Sequence, residues 1–472
     1  MSTFLDSFPK LRITAIVTIF RLSLVGYVLI YAASNLTPNE LNIWLLFNMI
    51  ASVGLGLFLI LGNNLGKFLV YLTSGIHPAH FRRRFDEFVK KDQTDAIKYW
   101  RSINESAQLI VRNIAAVYGL ISGCFCYFYI SSVSANIDTT VLMVCAAAIT
   151  IGAVLIVWST RFLVLIIGKD LLHQFQYYQL GVLIFAAGVF SLFSFYIGSR
   201  QFEFLTSMGL ILCSVQPLAS FLFISRKNFD TGTLIRPDAA TAIIWRTLRY
   251  NVMTFTLASL VKNVAPFFVS GLLTNTMDST SFLFLKRLFD VLDTFISSIS
   301  QIYVGTVSAI DLNNKRDEAV HIIRGLMWLG HMLVTCFTVT VIFLIKFDLF
   351  IFIGIDLDFD VYLCFSLGVA ALIVRWGATW MFVMNCLNKV LEHRAIVFYF
   401  FGFFSLLILS GPLIGTFSYP SALIFGIALS MFIIGRELYL ILEIPWLQFE
   451  KYSIIPAFLL VNIVGIWLVG GL

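Results

Sequence analysis

The chain has 472 residues, 59% of them hydrophobic and only 12% charged, with a mean hydropathy of +0.91 and a formal net charge of +6. A soluble protein would carry about 25% charged residues, so the composition excludes a soluble enzyme and predicts an all-α polytopic membrane protein. The positive charge lies in loops between apolar segments and does not indicate nucleic-acid binding. The seven cysteines all lie inside apolar segments and are interpreted as packing residues.

Apolar runs long enough to cross a bilayer as helices recur along the whole chain. The predicted spans are 11–34, 42–73, 106–131, 140–168, 173–198, 203–225, 245–273, 280–308, 319–347, 359–388, 393–416 and 420–443, and a further apolar stretch covers 453–471. The first run is too long for a cleaved signal peptide and is followed at once by the second run. The sequence therefore predicts twelve or thirteen transmembrane helices.

The first two spans contain polar side chains where hydrocarbon is expected. Arg21 lies near the middle of the first span, where a charge costs at least about 3 kcal/mol. The second span contains Gly62 and Gly66 at a spacing that allows close helix approach. Asn63 and Asn64 between them need hydrogen-bond partners, so they either pair across helices or line a cavity. The stretch from Gly62 to Lys67 has the glycines and lysine of a phosphate-binding loop, but it is one residue too short and is followed by Phe68 rather than Ser or Thr. Because it also lies within a span, it is rejected as a nucleotide site.

Almost all loop lysines and arginines fall in alternate loops, and the other loops contain only Arg200 and Lys346. By the positive-inside rule the basic loops are cytoplasmic, which places the N-terminus inside the cell. The longest of them, 77–104, has phenylalanines at helical spacing between basic residues. It is interpreted either as a topology anchor or as a helix lying on an anionic membrane surface.

A polar linker at 226–244 divides the chain almost in half, and both halves begin with two long helices joined by a short polar turn. This pattern is typical of transporters with a cavity between two lobes. The predicted domains are an N-terminal lobe, 1–225, and a C-terminal lobe, 245–445. The last segment, 446–472, is a candidate additional helix.

Two more cations lie in the middle of spans in the second half, Lys262 in the seventh span and Arg375 in the tenth. Like Arg21, they have no carboxylate nearby in their own helix. Hydrocarbon does not tolerate an unpaired charge at this depth. These cations therefore predict a central cavity that accepts an anion, and arginine favours phosphate or carboxylate because its guanidinium binds them in a bidentate way.

The eighth span carries four charges, Lys286, Arg287, Asp290 and Asp293, at spacings of three and four residues. One interpretation is a set of ion pairs that neutralise one another within the helix. The alternative is a switch, because Asp290 and Asp293 are the only carboxylates well inside any span and are candidates for H⁺ or Na⁺ coupling. No other cofactor, no metal site and no catalytic constellation is predicted.

The hairpin and second helix at 36–75, the eighth span at 281–305, the twelve-span layout and the central linker resemble the MOP (multidrug/oligosaccharidyl-lipid/polysaccharide) superfamily. Within it, the chain is similar to the bacterial Wzx-type O-antigen and exopolysaccharide flippases. The resemblance implies two six-helix lobes around a cationic cavity in a multi-pass protein of the bacterial inner membrane. It implies alternating access that moves an undecaprenyl-pyrophosphate-linked oligosaccharide to the periplasmic leaflet.

On this resemblance the pyrophosphate lies near Arg21, Lys262 and Arg375, and Lys286, Arg287, Asn63 and Asn64 are further candidate headgroup contacts. The expected partners are the lipid-linked substrate, membrane lipids, and the polysaccharide polymerase and chain-length machinery. Three alternatives remain: a drug or small-metabolite antiporter of the same fold, a membrane enzyme, and a scaffold in which the charges only pair with each other. The short outside loops argue against the enzyme.

Overall fold

The computed structural model describes residues 2–74, 96–132, 138–168, 171–194, 200–226, 252–271, 276–302, 316–386 and 391–442, and the single residues 462 and 465. Regular structure in these ranges is entirely helical. The helices are α1 (Ser2–Asn35), α2 (Pro38–Ser74), α3 (Ala96–Ser132), α4 (Thr139–Trp158), α5 (Thr160–Gly168), α6 (Leu172–Phe193), α7 (Gln201–Arg226), α8 (Val252–Gly271), α9 (Thr276–Ile302), α10 (Arg316–Lys346), α11 (Leu349–Phe352), α12 (Val361–Cys386), α13 (Leu391–Ile414) and α14 (Ser418–Leu442).

Each of the twelve predicted spans corresponds to helix in the described residues, which confirms the all-α multi-pass architecture. Within those same ranges, ten segments are long and apolar enough to cross a membrane, and one of them, Arg394–Phe432, contains most of α13 and the first part of α14. Helix α9 is not among these segments because its five charged side chains lower its hydropathy. The predicted span at 453–471 and most of the basic segment at 77–104 lie outside the described residues.

The start of α2 shows why the first hairpin turns where it does. Thr37 and Glu40 form a capping box: the Glu40 side chain accepts from the Thr37 backbone N–H at 2.9 Å, and the Thr37 hydroxyl accepts from the Glu40 N–H at 3.5 Å. Pro38 occupies the first helical position, where its missing N–H costs nothing. The Asp138 side chain caps α4 in a similar way, accepting from the Thr140 N–H at 2.8 Å.

The chain separates into two compact units: residues 1–20 with 46–255, and residues 21–45 with 256–472. In the first unit the core contains Phe58, Phe162 and Phe223, all buried. A Cβ on Gly62 would collide with the Leu163 side chain, so this side chain of α5 packs directly against the α2 backbone at the glycine. The predicted domain division at 226–244 stays a prediction, because 227–251 lies outside the described residues.

In the second unit a core of Ile296, Val334 and Leu372 joins α9, α10 and α12. Helices α13 and α14 pack through two glycines. A Cβ on Gly402 would lie 3.2 Å from the Gly426 Cα, and one on Gly426 would lie 2.8 Å from the Tyr399 carbonyl oxygen. Backbone atoms cannot move aside as a side chain can, so these two helices meet backbone to backbone.

We expect Gly426→Ala to lower the free energy of unfolding by about 1–3 kcal/mol, because the added methyl group overpacks a backbone contact. Gly188→Ala in α6 is the matched control, since a Cβ there meets nothing within 4 Å. The control should be neutral or slightly stabilising, as alanine favours the helix. Thermal unfolding of both purified variants in detergent measures the difference, and equal melting temperatures would contradict the close contact.

Candidate functional site

Lys262 lies in a widened turn of α8 whose backbone is short of hydrogen-bond donors. Residues Leu260–Val264 form a π-helix, in which the Ala265 N–H donates to the Leu260 carbonyl five residues back. Pro266 follows and has no N–H to donate to the carbonyl of Val261 or Lys262. Single π turns inside helices are frequent at functional sites. The turn therefore both presents the Lys262 side chain and leaves carbonyl oxygens for side chains of other helices.

Those carbonyl oxygens are taken by two buried side chains. The Lys286 ammonium of α9 donates to the Lys262 carbonyl oxygen at 2.6 Å. The Tyr419 hydroxyl of α14 lies 3.3 Å from the Val261 carbonyl oxygen and 3.4 Å from that of Lys262. Because a buried carbonyl without a partner is costly, these bonds stabilise the π turn and tie α8 to α9 and α14.

Asp293 joins cations from two other helices. One carboxylate oxygen lies 2.5 Å from the Lys262 ammonium, and the other lies 3.4 Å from the Arg375 guanidinium of α12. A carboxylate that accepts from two cations inside a helix bundle neutralises charge that would otherwise be expensive to place there. Asp293 therefore bridges α8, α9 and α12.

Lys286 and Asp290 form a second ion pair within α9, at the i, i+4 spacing that brings side chains together on one helical face. Lys286 also lies 6.0 Å from the Tyr419 ring centroid, a distance at which a cation is attracted to an aromatic face. The Lys262 ammonium lies 3.9 Å from Asp290. Among the described residues, these ion pairs link three cations, Lys262, Lys286 and Arg375, to two carboxylates, and we call these five side chains the cluster.

The members of the cluster differ in exposure. The Lys262 side chain is 41% exposed and Asp293 28%, whereas Lys286 is 9% and Arg375 3% exposed. The Lys262–Asp293 pair is thus the accessible part of the cluster, and Lys286–Asp290 is the buried part. A molecule that reaches the cluster meets Lys262 and Asp293 first.

Arg375 is held by neutral side chains as well as by Asp293. Its guanidinium donates to the Ser297 hydroxyl at 3.0 Å and lies 3.5 Å from the Thr379 hydroxyl. A Cβ on Gly330 of α10 would lie 3.2 Å from the Arg375 stem. The small residue at this position leaves room for the arginine to pass, so α9, α10 and α12 together fix its direction.

The structure brings together five of the nine residues that the sequence singled out: Lys262, Lys286, Asp290, Asp293 and Arg375. Arg21 is half-buried in α1 and Arg287 is half-buried beside Lys286, and their roles stay predictions. The side chains of Asn63 and Asn64 lie outside the described residues, although the α2 backbone continues through them.

The structure adds one pairing to these expectations and divides another. Lys262 and Arg375 lack a carboxylate in their own helices, as expected, but Asp293 of another helix is their counter-charge, and their role in binding an external anion stays a prediction. The interpretation of α9 as self-neutralising holds for Lys286 with Asp290, whereas Asp293 pairs across helices. Spacing within one helix identifies the first pair and cannot show the second.

Sequence reasoning missed the neutral residues that complete the site, namely Pro266, Ser297, Gly330, Thr379 and Tyr419. A proline four residues after a mid-span lysine is a signal that the lysine carbonyl lacks its helical donor. The other four residues have no local signature, because their importance comes only from what they contact.

No protein-family model and no curated sequence matches the chain. Solved structures do match it over nearly their whole length. An inward-facing multidrug resistance MATE family transporter of the MOP superfamily has a TM-score of 0.60 at 12% identity, covering 93% of this chain and 99% of that one. A MOP superfamily transporter from Pyrococcus furiosus, described as having a binding pocket of reverse polarity, has a TM-score of 0.57 at 13% identity, covering 92% and 96%.

The lipid II flippase MurJ in an inward closed conformation also matches, with a TM-score of 0.57 at 11% identity over 98% of this chain and 97% of that one. At these identities the comparisons establish the fold, which is that of the MOP superfamily transporters. The predicted resemblance is thereby confirmed as a likeness of fold, and membership of the superfamily stays a prediction. The Wzx-type assignment is a finer statement that the fold does not distinguish.

We expect Lys286→Met to destabilise the protein by about 3 kcal/mol or more, because Asp290 and the Lys262 carbonyl lose a partner in a dry interior. The double variant Lys286→Met/Asp290→Leu removes both charges and should cost less than the sum of the single changes. Asp278→Asn, on the exposed first turn of α9, serves as control and should be neutral. Thermal unfolding in detergent of these variants and of Asp290→Leu gives the change in the free energy of unfolding for each. If the change in the double variant equals the sum of the two single changes, Lys286 and Asp290 are not coupled.

Proposed function

We propose that this chain is a flippase that moves an undecaprenyl-pyrophosphate-linked oligosaccharide, an O-antigen or exopolysaccharide unit, across the bacterial inner membrane by alternating access. The observation that carries the proposal is the surplus of cations in the cluster of the second unit. Lys262, Lys286 and Arg375 pair there with Asp290 and Asp293, and Lys262 is the most exposed of the three cations.

The position of Lys262 favours an anionic guest over a purely structural role. A lysine in the middle of a span that is 41% exposed cannot face hydrocarbon without a cost of at least about 3 kcal/mol. It therefore borders a space that admits water or a charged ligand. Because cations outnumber carboxylates in the cluster, that space attracts anions, and pyrophosphate is the anion of the proposed substrate.

The superfamily fold supports a transport cycle of the proposed kind. A MATE transporter with this fold is known in an inward-facing and an outward-facing conformation, with TM-scores of 0.60 and 0.55 to this chain. MurJ, which has the same fold, is described as a flippase for lipid II. On this proposal the headgroup enters the protein from the cytoplasmic leaflet, and the lipid tail stays in the bilayer.

The remaining predicted contacts extend this proposal. Arg21, Arg287, Asn63 and Asn64 are assigned to headgroup binding together with the cluster. The N-terminus is assigned to the cytoplasm on the positive-inside rule. A polysaccharide polymerase and its chain-length machinery are the partners that would use the flipped product.

A drug or small-metabolite antiporter is the second candidate function. The observation that favours it is the presence of the two intramembrane carboxylates, Asp290 and Asp293, in a fold shared with multidrug resistance transporters. In such an antiporter these carboxylates would exchange H⁺ or Na⁺ and a cationic compound would be exported.

Replacing Lys262, Arg375 or Arg21 singly with alanine should reduce surface polysaccharide at least about tenfold, because the anionic headgroup loses a charged contact of about 1.5–3 kcal/mol. Immunoblotting of surface polysaccharide in a deletion strain that expresses each variant measures the effect. Arg112→Ala, an exposed position on α3, is the control and should keep normal polysaccharide. Normal polysaccharide in all three variants at wild-type membrane abundance would refute the flippase proposal.

A drug-susceptibility panel separates the two functions. On the flippase proposal the deletion strain should keep wild-type sensitivity to cationic compounds. A sensitised deletion strain that is restored by the wild-type chain, and not by Asp290→Asn or Asp293→Asn, would support the antiporter instead.

A further inference from the structure

We infer that Asp293 is an internal counter-anion, which holds the two substrate-binding cations Lys262 and Arg375 while the site is empty and gives them up to a phosphate group of the substrate. The inference rests on the proposed function and adds an explanation of how the cluster is stabilised before the substrate binds. It assigns Asp293 to exchange with an anion rather than to ion coupling.

The first support is geometric. Asp293 uses both carboxylate oxygens, one at 2.5 Å from Lys262 and the other at 3.4 Å from Arg375. A phosphate group also presents pairs of anionic oxygens to such cations, and binds arginine and lysine by the same charge-assisted hydrogen bonds. The space between the two cations is therefore already shaped for an oxyanion, and Asp293 occupies it.

The second support is the contrast between the two carboxylates of α9. Asp290 pairs with a lysine that is only 9% exposed and that also donates to the Lys262 carbonyl oxygen. Asp293 is 28% exposed and pairs with the 41% exposed Lys262. Solvent screens and weakens an ion pair that it can reach, whereas a buried pair resists separation. Among the ion pairs of α9, the one between Asp293 and Lys262 is therefore the most open to competition by a ligand, whereas the Asp293 pair with Arg375 is covered on the arginine side.

The third support is that the cations stay in place when Asp293 leaves. Arg375 keeps its bond to Ser297 at 3.0 Å and its contact with Thr379. The Lys262 backbone is held by Lys286 and Tyr419, and its ammonium keeps Asp290 at 3.9 Å. The Arg375 guanidinium and the Lys262 backbone are thus preorganised for an incoming phosphate, and preorganisation lowers the free-energy cost of binding.

Calorimetric titration of the purified full-length chain in detergent with inorganic pyrophosphate tests this inference. Asp293→Asn removes the competing charge, so Lys262 and Arg375 no longer have to be separated from a carboxylate before they bind the ligand. This variant should bind pyrophosphate at least about tenfold more tightly than wild type. Asp278→Asn, which removes the same charge from the exposed start of α9, should leave the affinity unchanged.

Asp290→Asn is the stricter comparison, because it removes a charge 3.9 Å from Lys262 without vacating the space between Lys262 and Arg375. It should raise the affinity less than about threefold, since the space for the oxyanion stays occupied. Equal tightening by Asp290→Asn and Asp293→Asn would mean that pyrophosphate responds to net charge alone and would overturn the exchange. An Asp293→Asn variant that binds no tighter than wild type would overturn it as well.

A second measurement uses the wild-type chain, so it does not depend on the folding of Asp293→Asn. Infrared difference spectra on addition of pyrophosphate should show a shift of a carboxylate stretch as Asp293 leaves its cations. The shift should persist in Asp290→Asn and disappear in Lys262→Gln. Pyrophosphate that changes no carboxylate band in wild type would contradict the displacement.

The outcomes separate this inference from the flippase proposal. Normal surface polysaccharide in the deletion strain, together with tighter pyrophosphate binding by Asp293→Asn, would remove the flippase function and leave Asp293 as counter-anion for another phosphorylated substrate. Loss of polysaccharide in the deletion strain, with no tightening in Asp293→Asn, would keep the flippase and remove the exchange.

Discussion

The bridge that Asp293 makes between Lys262 and Arg375 is the interaction on which the charged site depends. Hydrocarbon penalises each of these cations, and their own helices contain no carboxylate to offset the charge. Asp293 lies on α9, so pairing requires α8, α9 and α12 to come together in one arrangement. Because both cations need the carboxylate of Asp293, α8, α9 and α12 must pack so that the three side chains meet.

The π turn of α8 shows a similar coupling between backbone and side chains. Pro266 has no N–H to donate to the carbonyl groups of Val261 and Lys262, and Lys286 and Tyr419 supply the missing donors. Lys286 can do so because Asp290 neutralises its charge one turn along the same helix. The backbone irregularity, the buried lysine and the tyrosine are therefore parts of one arrangement, and none of them would be stable in this position alone.

The surplus of cations in the cluster favours an anionic ligand, which the fold by itself does not. Structures with the same fold include multidrug resistance transporters and a lipid II flippase, so fold alone does not choose the substrate. What distinguishes sites on a shared fold is the sign and accessibility of their charges. In the cluster of this chain the most accessible charge is a lysine, and on our inference its counter-ion is a carboxylate that a phosphate can replace.

The sequence by itself determined the membrane class, the twelve spans, and five residues that meet in the cluster, because hydrophobic runs and misplaced charges are local signals that need no neighbour to be recognised. The Lys286–Asp290 pair was also predictable from helical spacing. Only the tertiary structure decided that Lys262 and Arg375 share Asp293, and that Ser297, Thr379 and Tyr419 complete the site. Ion pairs between helices depend on how helices rotate and pack against each other, and no residue spacing within a single helix contains that information.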